Sequence, residues 1–303
     1  TRHPDYITDY RSDGANIYQN YWIIDVMLRN DDPRRRYYFY RQNECTPGAS
    51  CDPAGNGETL QCSLQLTPTH LVGTPFENLW CYMEDGYWGR MHGNDEGTPP
   101  DNFTRTASGV YPAAGRFDDD SFGSVGLGLG GGGAGIEPIM LASYVDFMRA
   151  EVALDAGDAA GAADFIEAGL TKSIAKVQGF GSVDSSADLA GFEPSATDVT
   201  DYIADIKADF TAASGDDQWN ILAEQYFVTM FGGGGDAYNF YRRTGYPTTL
   251  SPSIDPSPGV FPRTFLYPGN EVIANPNILQ RTDNNTQVFW DTQPAGPAFP
   301  SAN

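Results

Sequence analysis

Positive charge is what this chain has least of. Eighteen Lys and Arg stand against forty Asp and Glu, for a formal net charge of −22. Such a field repels phosphate backbones and anionic lipid heads, which excludes nucleic acid as a partner; beyond that it favours solubility and names no substrate. Histidine is scarce as well, at positions 3, 70 and 92 only, so the usual general base has few candidates. No G-x-S-x-G elbow, H-E-x-x-H pair or framed Cys/His set occurs. Long apolar runs are also missing. The uncharged stretch Ser121 to Ile136 is rich in glycine, and nothing approaches the roughly 20 apolar residues of a membrane-spanning helix. The chain opens at Thr1 on a charged, polar run (Arg2, His3, Asp5) that reads as neither a secretory leader nor a lipidation site.

What is present suffices for a core. The 303 residues are 40% hydrophobic and 13% aromatic, enough for one large domain. The four cysteines, Cys45, Cys51, Cys62 and Cys81, cluster in the first 81 residues. An even set allows three disulfide pairings. The Pro- and Gly-containing loop between Cys45 and Cys51 favours a local bridge there, which leaves Cys62 with Cys81 and implies an oxidising compartment. Zinc is the alternative, but there is no C-x-x-C pair and neither His70 nor His92 stands at finger spacing.

Residues 1–125 are dense in aromatics, Gly, Pro and Asn and read as loops and short strands around one amphipathic helix, Tyr18 to Arg29, stopped by Asp31-Asp32-Pro33. The glycine tract within 126–136 lacks the G-K-[ST] ending of a phosphate loop and reads as a mobile surface loop. Residues 137–245 are helical: Ile139 to Leu154 and Asp158 to Val177 make one pair, and Thr197 to Ala213, with Thr197 as the cap, and Asp216 to Phe231 a second. A short helical segment, Asp236 to Tyr241, follows, and 246–303 is an extended, Pro-rich tail. Small and large residues alternate across the first pair as in one tetratricopeptide-like hairpin, although a single unit does not establish a repeat array.

The run Phe240-Tyr241-Arg242-Arg243-Thr244-Gly245-Tyr246-Pro247, preceded by Ala237-Tyr238-Asn239, resembles the C-terminal signature of SusD/RagB proteins. Phe261-Pro262-Arg263-Thr264-Phe265-Leu266-Tyr267-Pro268 with Asn270-Glu271-Val272 and Asn275-Pro276-Asn277 is similar to a second family segment, and Val288-Phe289-Trp290-Asp291 to its closing motif. Upstream, Asp32-Pro33-Arg34 leading into Tyr37-Tyr38-Phe39-Tyr40-Arg41, and Tyr87-Trp88-Gly89-Arg90-Met91-His92-Gly93-Asn94, also look like family segments. The resemblance implies a mainly α, SusD-like fold over 1–303, with tetratricopeptide-like helix pairs, long irregular loops and few short strands. It implies a cell-surface lipoprotein of the outer membrane that binds an oligosaccharide, or a peptide, over a SusC-type TonB-dependent transporter, without catalysis or cofactor. Members typically begin with a lipidated Cys and several further helices; the expectation here is the C-terminal portion of such a chain, with the membrane reached only through an anchor outside it.

Physically, most of these motifs read as scaffold: Arg242 and Arg243 can fork onto carboxylates or carbonyls, while Gly245 and Pro247 turn the chain off its helix. For the ligand, aromatic faces stack on the apolar side of a sugar ring while polar neighbours bond its hydroxyls. The first-choice region is therefore Trp80, Tyr82, Tyr87 and Trp88 with Arg90, Asn94 and Asp95, stiffened by a Cys62–Cys81 bridge; Tyr37, Tyr38 and Tyr40 come second. No metal site is expected, although Asp118-Asp119-Asp120 and Asn94-Asp95-Glu96 offer oxygen ligands of the kind a structural calcium takes, without EF-hand spacing. Two other functions compete with capture: a carbohydrate-active enzyme, which needs two carboxylates about 5 to 10 Å apart across a cleft, and a structural surface-assembly protein with no small ligand.

Overall fold

A computed structural model describes residues 1–52, 60–93 and 101–292. Its first third is built on an aromatic core. Helix α1 (Pro4–Asp9), which periodicity did not reveal, is capped by the His3 ring and stacks Tyr6 on Tyr10 at 4.3 Å. Helix α2 (Tyr21–Arg29) begins three residues later than its apolar pattern suggests, because the Asn20 side chain accepts from the Trp22 amide, a cap typically worth about 1 kcal/mol. After the Asp31-Asp32-Pro33 corner come α3 (Arg35–Tyr38) and strand β1 (Phe39–Tyr40), which pairs antiparallel with β2 (Ala107–Ser108) in the register Phe39 to Ser108 and Tyr40 to Ala107.

Tyr37, Tyr38 and Tyr40, expected as second-choice ligand contacts, are fully buried and belong to the core. Tyr38 stacks on Phe231 at 4.4 Å and on Tyr111 at 5.4 Å, so its faces are already taken. The glycine tract is corrected too. It does not swing free: the amides of Gly131 and Gly133 donate to the carbonyls of Gly115 and Ala114, and the Gly133 carbonyl accepts from His3. A side chain at Gly130 or Gly135 would run into the backbone of 112–116, and the small residues permit this contact.

The second core is helical. Helices α4 (Ala142–Asp155) and α5 (Ala159–Gln178) are joined by a three-residue turn and pack along each other. Beyond α6 (Leu189–Phe192), α7 (Ala196–Ala212) packs on α5, and α8 (Asp216–Thr229) on both α4 and α7. Ala162, Ala163, Ile166, Leu170 and Ile174 of α5 face Tyr144, Phe147, Tyr202, Ile206 and Tyr226, and the absence of a side chain at Gly169 lets the Phe147 ring lie against the helix. The cap of α7 is Ser195, not Thr197: Ser195 and Asp198 form a reciprocal capping box. Helix α4 starts at Ala142 because Leu141 is extended, which leaves Ile139 and Met140 exposed ahead of it.

Helix α9 (Gly234–Thr244) is longer than its apolar pattern suggests and stops where Gly245 turns left-handed at φ 77°, a conformation that costs glycine little. Past it, the tail contains α10 (Gly269–Ala274) and folds back on itself: Arg263 holds Asp291 at 2.8 Å, and its amide donates to the Asn284 carbonyl. The described residues form a helix-dominated architecture with one two-stranded sheet. No helix among them is long and apolar enough to cross a membrane.

Candidate functional site: an aromatic groove between the disulfide loop and the tail

The disulfides pair Cys45 with Cys51 and Cys62 with Cys81. The second bridge shapes a surface. Cys62, Trp80, Trp88 and Arg90 line a recess of about 460 Å³. It adjoins a larger one, about 990 Å³, walled by Tyr238 and Tyr241 of α9 and by Leu250, Pro252, Phe261 and Pro262 of the segment after it. Gly93, Asp255 and Pro256 border both recesses, so the two adjoin. Gly93 sits at φ 85°, and a Cβ there would strike the Ser253 hydroxyl.

The residues expected to bind ligand divide. Trp80 is half-buried and lines the smaller recess. Arg90 lines it too, its guanidinium 3.8 Å above the Tyr18 ring and 3.9 Å from Asp101. Tyr82 is partly exposed but lines neither recess; its ring leans on Gly48 in the loop closed by Cys45 and Cys51. Tyr87 and Trp88 are each only 2% exposed, so neither presents an open ring face, although Trp88 borders the smaller recess. Tyr87 lies beneath the Arg41 guanidinium at 5.0 Å, and Trp88 donates its indole N–H to the Cys81 carbonyl at 3.0 Å, so both are scaffold beneath the recess. Asn94 and Asp95 lie outside the described residues, as does Glu96.

Much of the larger recess escaped the sequence reading, which took its motif residues for scaffold. Phe261 stacks on Tyr238 at 5.9 Å and meets Tyr241 edge-on at 5.7 Å. The Tyr238 hydroxyl donates to the Pro262 carbonyl at 3.1 Å, fixing the ring, and burial pushes the Tyr241 phenol well above its usual range, so it stays neutral. The available signal was the pair of motifs Ala237-Tyr238-Asn239-Phe240-Tyr241 and Phe261-Pro262-Arg263: aromatics facing a Pro-rich coil.

A family model for SusD-like proteins, described as SusD and RagB outer membrane lipoprotein, matches residues 137–291, just over half of the chain and the whole stretch from α4 to the Arg263–Asp291 pair. The chain belongs to the SusD-like family. Members of this family are outer-membrane lipoproteins and binding proteins. The match includes Tyr238, Tyr241 and Phe261 but stops short of Trp80 and the disulfide loop. No curated protein and no solved structure matches the chain.

The acidic run at 118–120, offered for calcium, is occupied by protein partners. Asp118 is buried and bonded to Arg41 at 2.6 Å, Asp120 accepts from Arg36 at 2.6 Å and from Arg41, and Asp119 accepts from the Asp188 amide at 3.0 Å. Among the described residues no group of three or more His, Cys, Asp or Glu is arranged to hold a metal ion. A third recess, about 790 Å³, lies between the corner after α2 and α7. Both charge signs line it, Arg29, Arg35 and Arg36 with Asp198, Asp201 and Asp205; of its two aromatic residues Tyr202 is buried and Phe192 has the Arg36 guanidinium 5.2 Å from its ring centroid.

Proposed function

We propose that this protein captures an oligosaccharide at the cell surface and delivers it to a SusC-type TonB-dependent transporter of the outer membrane, without covalent chemistry. The observation that carries this reading is the groove itself. Aromatic side chains from two distant parts of the chain, Trp80 in one recess and Tyr238, Tyr241 and Phe261 in the other, line two recesses that share Gly93, Asp255 and Pro256 as a border. Such surfaces bind sugar rings through their apolar C–H faces while nearby polar groups take up the hydroxyls. Membership of a family of outer-membrane lipoproteins supports the location and the handover.

Intrinsic tryptophan fluorescence, titrated with a panel of oligosaccharides and peptides, tests this, since Trp80 lies in the groove wall. Saturable quenching or enhancement that disappears in Trp80→Ala, with the ligand recovered intact, is the expected outcome. A shortened ligand would make the protein an enzyme. No response from any panel member, by fluorescence or calorimetry, would turn the reading to a structural role in a surface assembly.

A further inference from the structure

The tail carries its large apolar side chains on the outside. Between Arg263 and Thr292, Phe289 is 95% exposed, Ile273 and Leu279 86% each, Phe265 81%, Trp290 66% and Leu266 52%. The segment is nonetheless a fixed surface. Arg263 pairs with Asp291 at 2.8 Å, the Gln280 side chain both accepts from and donates to the Tyr267 backbone, and the Arg281 guanidinium stands 5.0 Å from the Tyr267 ring centroid. These polar groups satisfy one another within the fold-back, and the apolar side chains are left facing solvent.

Size points to a protein partner. At about 150–250 Å² for a bare aromatic side chain, the six residues together present on the order of 800 Å² of apolar surface. The largest apolar patch of a typical monomer is about 300–600 Å², and a specific interface takes about 800 Å² from each partner. Charge then selects the partner. The segment from Arg263 to Thr292 holds two Arg against three Asp and Glu, while the whole chain carries −22. A second copy is repelled by acidic faces elsewhere, but two of these near-neutral faces meet without like-charge repulsion. A basic partner finds its attraction on the acidic faces instead. A lipid surface is disfavoured as well: the segment has no Lys, and Arg263 is turned onto Asp291, whereas interfacial segments set Lys and Arg on their polar side.

We propose that this face docks a second copy of the chain, giving a two-fold pair in which Phe265 and Phe289 of each protomer enter the interface. An apolar, near-neutral face is complementary to itself, as a two-fold interface requires, and closing it removes the exposed rings from water. The pairing is independent of the capture reading.

The test is sedimentation equilibrium on the full chain, with the double variant Phe265→Asp and Phe289→Asp and the single variant Val152→Asp alongside. Wild type shows a monomer–dimer equilibrium with a Kd of about 1 μM. The double variant, changed only at exposed positions, weakens it at least about a hundredfold at an unchanged melting temperature. Val152→Asp, at an exposed apolar position of α4 outside the segment, leaves it unchanged. A monomer at every concentration overturns the proposal, and so does a dimer that survives the double variant or is lost equally in Val152→Asp. Association that continues past the dimer overturns the closed pair. A monomer that instead co-sediments with phosphatidylethanolamine–phosphatidylglycerol vesicles, and ceases to in the double variant, makes this face a lipid-binding one and overturns the pairing.

Discussion

Arg34 and Asp32, two positions apart, form an ion pair shut off from water, with 2.5 Å between Nη2 and Oδ2 and exposures of 0% and 1%. The same guanidinium reaches Ser173 at 3.0 Å and Thr229 at 2.9 Å, and Tyr202 donates to Asp32 at 2.8 Å. One corner of the aromatic half is thereby tied to α5, α7 and α8. Removing one partner leaves the other charge buried alone. Arg34→Met should therefore cost about 3–5 kcal/mol in urea unfolding, and Asp32→Leu added to it should restore much of the loss. A single variant as stable as wild type would show that the pair does not hold the two halves together.

Trp80 and Trp88 lie eight residues apart and should respond oppositely. Trp80→Ala removes a groove wall and should weaken ligand binding with little change in stability. Trp88→Ala empties a core position and should cost about 3–5 kcal/mol. Thermal melts beside calorimetry separate the two, and equal stability losses would contradict the placement of Trp80 at the surface.

The bridges differ in the length of chain they close, 19 residues of separation for Cys62–Cys81 against 6 for Cys45–Cys51. By loop-closure entropy, replacing the longer bridge by serines should cost about 3 kcal/mol and the shorter about 2 kcal/mol. The Cys62 and Cys81 variant should also bind ligand more weakly, because Cys62 lines the recess beside Trp80. Unchanged affinity in that variant would show that the bridge does not shape the site.

Acid should act through Asp120. Burial works against the charge on Asp120, but Arg36 and Arg41 outweigh it and hold its carboxyl below the usual range. A depressed folded-state value means that the contribution is present above the unfolded value of about 3.9 and fades as pH falls through the folded one. Asp120→Asn should accordingly be less stable than wild type at neutral pH and lose less stability on acidification below about pH 4. Urea midpoints taken across the acid range compare the two slopes, and parallel slopes would mean that Asp120 contributes nothing.

Helices α5, α7 and α8 were legible because their apolar spacing and the Gly or Pro that end them are local properties of the chain. The disulfide pairing was favoured by the short loop between Cys45 and Cys51, and the family by ordered motifs. Aromatic side chains were harder to assign. Tyr37, Tyr38, Tyr87 and Trp88 have the same chemistry as Trp80, and nothing near them in sequence says which faces are covered.

Coverage is a long-range matter. Trp88 is sealed by neighbours such as Tyr18, and Tyr38 by Phe231, nearly two hundred positions away. The groove is likewise an encounter: His70 meets Ser253, and Trp80 and Tyr238 come to adjoining recesses only because the disulfide loop and the segment after α9 pack together. The sequence by itself determined the helices, the acidic character and the family, since periodicity, charge and motif are carried by neighbouring residues. Only the tertiary structure decided which aromatics are core and which line the surface recesses, because burial depends on what distant parts of the chain bring against them.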